Sequence, residues 1–164
     1  MYAHKIIDSI SKLANSLAVI MLCGMFLHII LEIILRNSFD TSTFVLDEFV
    51  GYAVASLAFL ALGETFHKRA LIEVTILKDN FSKRNRLFFE LFSNLACSVI
   101  GSILFYYIGR SVINHFYRGT VSSSVAEVPQ FIPEGLLLIG VFVFLLRVFE
   151  SLWINISLLI VKEY

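Results

Sequence analysis

Four long apolar stretches alternate with shorter polar ones along this chain, and their lengths predict four membrane-spanning helices. The second stretch sets direction as well as depth. Phe49 to Gly63 carries no charge and is rich in Ala, Val, Leu and Phe, with Glu48 and Glu64 at its two ends. At a rise of about 1.5 Å per residue the two carboxylates stand roughly 24 Å apart, near opposite faces of a hydrocarbon core about 30 Å thick. Asp47 and Glu48 precede the span, whereas His67, Lys68 and Arg69 follow it, so the basic end is predicted to be cytoplasmic.

The other stretches follow the same logic. Leu13 to Leu31 is nineteen residues without a formal charge, longer than a signal-peptide core and followed by no small-x-small cleavage site, so an uncleaved first helix is expected. It stops near Arg36-Asn37, before the polar, turn-prone segment Ser38 to Phe44. After the second span, residues 72–81 interleave apolar and charged positions and are consistent with a short interfacial amphipathic segment or an ordinary loop. The third span, Leu91 to Gly109, carries Ser93, Asn94, Ser98, Gly101 and Ser102, small or hydroxyl residues that permit close helix contact. Residues 111–129, with Gly119, the three consecutive serines Ser122, Ser123 and Ser124, and Pro129, are predicted as a loop, and Pro133 opens the fourth helix. The expected helices are about 13–35, 45–66, 88–110 and 132–158, in one membrane domain over 1–164.

Composition narrows the class to an all-α integral membrane protein, because 58% apolar and 16% charged residues leave little for a water-soluble surface. Thirteen basic and thirteen acidic residues balance, which offers no attraction for nucleic acid; the informative quantity is where the basic ones fall. Nine Lys and Arg lie in the tails and the loop after the second span, and three, Arg36, Arg110 and Arg118, lie on the other side, with Arg147 set aside. That bias predicts both termini in the cytoplasm. Cys23 and Cys97 sit in apolar runs and are expected to be unpaired, buried hydrophobes.

Ionisable groups inside spans are the natural functional candidates: His28, Glu32, Arg147 and Glu150. His28, Glu32 and Arg36 follow at one-turn spacing and share a helix face, which suits a proton or cation relay or, more simply, a Glu32–Arg36 pair that fixes the helix end. Arg147 and Glu150 also share a face. Arg147 either reaches the cytoplasmic surface, with an interfacial tail around Trp153, or lies paired inside a long tilted helix. The four histidines do not face one another at one depth, and neither metal-ligand spacing, a phosphate loop nor a nucleophilic triad is present, so no cofactor, metal or catalytic residue is predicted.

Read in order, several weak motifs converge on a family. Arg36-Asn37 resembles the Arg-aromatic stop of a first helix, with Asn37 in place of the aromatic, and Asp47-Glu48 resembles an acidic pair that opens a second. Leu62-Gly63 and Lys68 to Val74 are similar to a Leu-Gly step and a basic-small-His-Ile-x-Val segment, with Leu71 at the His position. Val128-Pro129, Pro133, Gly140 and Leu146-Arg147 resemble the Ile-Pro start, second Pro, Gly and Leu-Arg of a fourth helix. Together they resemble the small membrane subunit, the DctQ-like four-helix protein, of a tripartite ATP-independent periplasmic (TRAP) transporter.

The resemblance implies a non-catalytic subunit of a sodium-coupled system in the bacterial inner membrane for uptake of an organic acid anion, such as a C4-dicarboxylate or sialic acid. It implies a large multi-spanning subunit that carries the substrate and ion sites, a periplasmic substrate-binding protein, and membrane lipids as partners. Glu32, Arg36, Asp47, Glu48, Gly63, Arg147 and Glu150 are the candidate partner or lipid-boundary residues. The competing expectation is a self-sufficient homo-oligomeric ion-coupled transporter or channel with Glu32 as its coupling carboxylate.

Overall fold

The computed structural model describes residues 2–70 and 83–161 and is all-helical apart from one isolated β-bridge. Its helices are α1 (Tyr2–Phe39), α2 (Leu46–His67), α3 (Lys83–Arg118) and α4 (Phe131–Val161). All four are long and apolar enough to cross a membrane. The expected interfacial segment 72–81 lies outside the described residues.

Local chemistry explains the ends. Asp47 and Glu48 occupy the first turn of α2, where negative charge complements the helix dipole, and His67 lies in its last turn. α3 runs until Gly119, whose φ of 61° no ordinary residue holds cheaply. Pro133 sits in the first turn of α4, where a missing N–H costs nothing.

Two boundaries differ from the sequence expectation. α1 begins at Tyr2 rather than near Leu13, because polar residues on one helix face do not end a helix; Lys12 bridges back to Asp8 at 2.7 Å, one turn apart. Likewise α3 continues past Arg110 to Arg118, so the predicted loop 111–129 shrinks to 119–130. Ser111 to Arg118 is polar but holds no breaker, and a helix persists outside hydrocarbon until one appears.

α4 is the central element. It packs along both α2 and α3, while α1 lies on α2 and touches α4 less extensively. The core sits where α1, α2 and α4 meet, built from Ala14, Ala18, Leu60 and Val143 with Met21, Leu57 and Ala61 around them. Facing it away, Leu13, Ile20 and Leu27 on α1 and Phe92, Val99 and Tyr106 on α3 repeat every seventh residue and are exposed. Such stripes suit lipid or a neighbouring membrane helix rather than water.

Small residues set the helix spacing. A Cβ at Gly140 would lie 2.5 Å from the Phe59 carbonyl carbon and 2.7 Å from the Leu60 nitrogen, so α4 meets the α2 backbone itself there. Reciprocally, a Cβ at Gly63 would lie 3.0 Å from Val143 Cγ1. On α3, Asn94, Ser98 and Gly101 are buried, and Asn94 Nδ2 donates to Ser151 Oγ of α4 at 2.9 Å; Ser93 and Ser102 of the same group face outward. Because backbone cannot move aside as a side chain can, Gly140→Ala is expected to lower stability by about 1–3 kcal/mol. Thermal unfolding in mild detergent checks this, with Gly24→Ala, at a site with open space, as the neutral control.

Candidate functional site

The charged and polar residues gather in two hubs, one at each end of the bundle. The first centres on Glu32, which α1 places against the 40–45 connection and which is 1% exposed. Arg36, one turn on, pairs with it as their spacing predicts, Nε donating to Oε1 at 2.7 Å. The Ser42 hydroxyl donates to the same oxygen. Thr43 donates twice to Oε2, from its backbone N–H at 3.0 Å and its hydroxyl at 2.6 Å. Four donors thus converge on one carboxylate, and three belong to the loop. Among the described residues His28 makes no hydrogen bond to Glu32; its ring meets Phe49 edge-on, with centroids 6.0 Å apart.

The loop so fastened holds an unusual residue. Phe44 has a φ of 59°, a left-handed conformation that costs a bulky side chain on the order of 1–3 kcal/mol. Its N–H donates to Ser42 Oγ at 3.0 Å, and its ring is 75% exposed. The strain is therefore imposed by the Glu32 hydrogen bonds and relieved by no burial of the ring.

Glu48 plays a parallel part for the second loop at this end. Its Oε1 accepts from Tyr52 Oη at 2.6 Å. The Ser122 and Ser124 hydroxyls face the same carboxylate, whose Oε2 is enclosed and lacks a hydrogen bond of regular geometry. Loop 119–130 is itself tightly closed. Val121 bridges Pro129, Ser122 N–H donates to Val128 O at 2.9 Å, and Val128 N–H returns to Ser122 Oγ at 3.0 Å. His115 Nδ1 of α3 stands 3.1 Å from Glu134 Oε2 of α4. Asp47, by contrast, is exposed next to Glu48.

The second hub surrounds Arg147. The structure buries this residue between the helices, with a side chain 0% exposed, and pairs it there. Nη1 donates to Glu150 Oε2 and Nη2 to Asp8 Oδ1, each at 3.0 Å, and Nη2 stands 3.6 Å from Glu64 Oε2. One planar guanidinium thereby reaches carboxylates on α1, α2 and α4. Each carboxylate has a second partner. Lys12 serves Asp8, Ser11 and Lys68 serve Glu64, and His4 serves Glu150. Arg147 Nε is buried with no hydrogen-bond partner among the described residues, where the two terminal nitrogens hold the guanidinium.

Of the residues singled out from sequence, Glu32 and Arg36 meet in the first hub and Arg147 and Glu150 in the second. Glu48 reaches the second loop, Gly63 packs on Val143, and Asp47 joins neither hub. Sequence reasoning missed Asp8, Ser11, Ser42, Thr43, Tyr52, Ser122 and Ser124, and left Glu64 as a mere flank of the second span. One signal was available: an Arg inside a span requires counter-charge, and Asp8 and Glu64 are the acids on neighbouring helices at its depth.

Four helices long and apolar enough to cross a membrane carry the match to a known family. The description Tripartite ATP-independent periplasmic transporters, DctQ component, matches residues 25–157. The chain belongs to this family. No individual curated protein matches it. As a DctQ component it is a small membrane part of a transporter, associated with a large membrane subunit and a substrate-binding protein. Glu32, Glu48, Glu64, Arg147 and Glu150 of this DctQ component all fall within the match, whereas Asp8, Ser11 and Lys12 precede it.

Proposed function

We propose that this DctQ component is a non-catalytic scaffold in a sodium-coupled uptake system for an organic acid anion, such as a C4-dicarboxylate or sialic acid. It braces the large transport subunit laterally and helps to dock the periplasmic substrate-binding protein. In this reading both termini are cytoplasmic, the Arg147 hub lies toward the cytoplasm and the Glu32 hub toward the periplasm, in the inner membrane. The excess of Lys and Arg in the tails and the loop after α2 supports that orientation.

The observation that carries the reading is how the buried charges are spent. Glu32 accepts from four donors and Arg147 is surrounded by three carboxylates, all within the chain. A coupling carboxylate must exchange protons or cations with a pathway, and a group this fully occupied by its own loop serves to fix structure instead. The helix flanks, meanwhile, offer broad apolar surface for a membrane partner.

The test is to tag the chain in its native chromosomal context, extract it in mild detergent and determine what co-purifies. One copy of a many-spanned TRAP subunit per chain is expected. Recovery of this chain by itself as a defined oligomer, with ion-coupled flux that Glu32→Gln abolishes, would replace this reading by the homo-oligomeric transporter.

A further inference from the structure

We propose that His4 and Glu150 form a proton-responsive clasp: a charged His4 imidazole fastens the first turns of α1 over the Arg147 hub, and loss of its proton loosens them. The reason lies in what else holds this segment. None of residues 4–10 is buried, Ile6 is 60% exposed, and Ser11 is the first buried position of the helix among the described residues. The first N–H groups of a helix have no partner within it, so contacts with other helices decide whether these turns stay in place. Among the described residues two polar contacts to another helix precede Ser11. His4 Nδ1 meets Glu150 Oε1, and Asp8 Oδ1 accepts from Arg147 Nη2 at 3.0 Å. The guanidinium of the second keeps its charge at any ordinary pH. The imidazole of the first changes charge between about pH 5 and pH 8, and it is 57% exposed, open to exchange its proton with water. One fastening is thus fixed and the other titrates.

The surrounding charges make that proton count. α1 packs on α2 and α4. From α2, His4 faces His67, ring centroids 6.2 Å apart and planes tilted by 52°, with Glu64 and Lys68 close by. From α4 come Glu150 and Arg147, and from α1 itself Lys5, Asp8 and Lys12. Within the hub the carboxylates Asp8, Glu64 and Glu150 are matched by Lys12, Lys68 and Arg147, so the cluster is neutral before either histidine is charged. Arg147 Nη1 occupies Glu150 Oε2 at 3.0 Å, which leaves Oε1 to His4. A charged imidazole makes an ionic hydrogen bond there, roughly twice as strong as the bond a neutral ring offers. Two charged rings side by side would repel, and of the two it is His4 that touches a carboxylate. The fastening is therefore strongest in acid, while Glu150 stays ionised, and weakens as the pH rises through the imidazole range. His4 precedes residues 25–157, so membership of the family carries no statement about it.

The experiment follows hydrogen exchange of the full chain, with its co-purifying partners, in nanodiscs at about pH 5.5 and about pH 8, on either side of the imidazole range. Rates are corrected for the intrinsic effect of pH on exchange. In the unaltered chain, protection over residues 6–10 is expected to be about fivefold greater in acid, with protection over 141–148 of α4 unchanged. His4→Gln is expected to bring the acid value down to the alkaline one. His4→Lys, charged at both pH values, is expected to keep protection high at both. Glu150→Gln should remove the difference as His4→Gln does, and His67→Gln should retain it. Equal protection at the two pH values in the unaltered chain, or a difference that survives in His4→Gln, would overturn the proposal. So would its loss in His67→Gln, which puts the proton on the other ring, or a parallel change over 141–148, which marks loosening of the whole bundle.

Discussion

Arg147→Ala is expected to lower the stability of the isolated chain by about 3–5 kcal/mol, the cost of removing one member of a buried ion cluster. The residue fills an enclosed site and, among the described residues, is the one cation reached by carboxylates from α1, α2 and α4. Its removal leaves a void, three facing carboxylates and a lost link between helices. Asp8→Ala should cost clearly less. Asp8 is 29% exposed, and Glu150 and Glu64 still hold the guanidinium in its absence. Arg147→Lys should fall between them, because a single ammonium cannot reproduce two terminal nitrogens directed at different helices. Thermal unfolding of the purified variants in mild detergent gives the ranking. Equal losses for Asp8→Ala and Arg147→Ala, or a loss below about 1 kcal/mol for Arg147→Ala, would show that the hub is not the fastening described.

Glu32→Ala is expected to release loop 40–45 and to cost about 2–4 kcal/mol, since four donors lose their acceptor and some recover water. Its direct readout is local. Thr43 N–H, bonded to Glu32 Oε2 at 3.0 Å, should lose its protection from hydrogen exchange, as should Phe44 N–H through Ser42. Freed of its bonds, Phe44 should leave the left-handed region, and that relief of strain offsets part of the loss. Glu32→Gln should behave as an intermediate, keeping an acceptor oxygen but losing the charge that Arg36 and the hydroxyls prefer. Unchanged exchange at Thr43 in the alanine variant would sink the loop-fixing role and restore the relay reading of His28, Glu32 and Arg36.

The two hubs differ in how far the sequence exposes them. Glu32 and Arg36 stand four residues apart on one helix, so their pairing follows from helical geometry alone. Ser42 and Thr43 were harder to see, because hydroxyl residues in a short polar loop are common and only the turn of the chain brings these two back over Glu32. In the second hub Arg147 and Glu150 share a helix, yet the contacts that bury Arg147 come from α1 and α2. Ser122 and Ser124 lie far along the chain from Glu48 and reach it only when loop 119–130 folds across the start of α2.

Sequence by itself determined the number of spans and the charge asymmetry of the connecting segments. These depend on hydrocarbon thickness, backbone satisfaction and helix breakers, each of which acts on residues close in sequence. α1 starts earlier and α3 ends later than expected because the polar residues there include no helix breaker. Tertiary structure alone decided which charges meet. Helical periodicity says which residues share a face, but it does not say which face of which neighbour lies opposite. That choice was made by close packing: α4 approaches the α2 backbone at Gly140 and Gly63. With α1 lying against α2, that crossing carries Arg147 to Asp8 and Glu64, residues far away in the chain, and makes three helices share one buried cation.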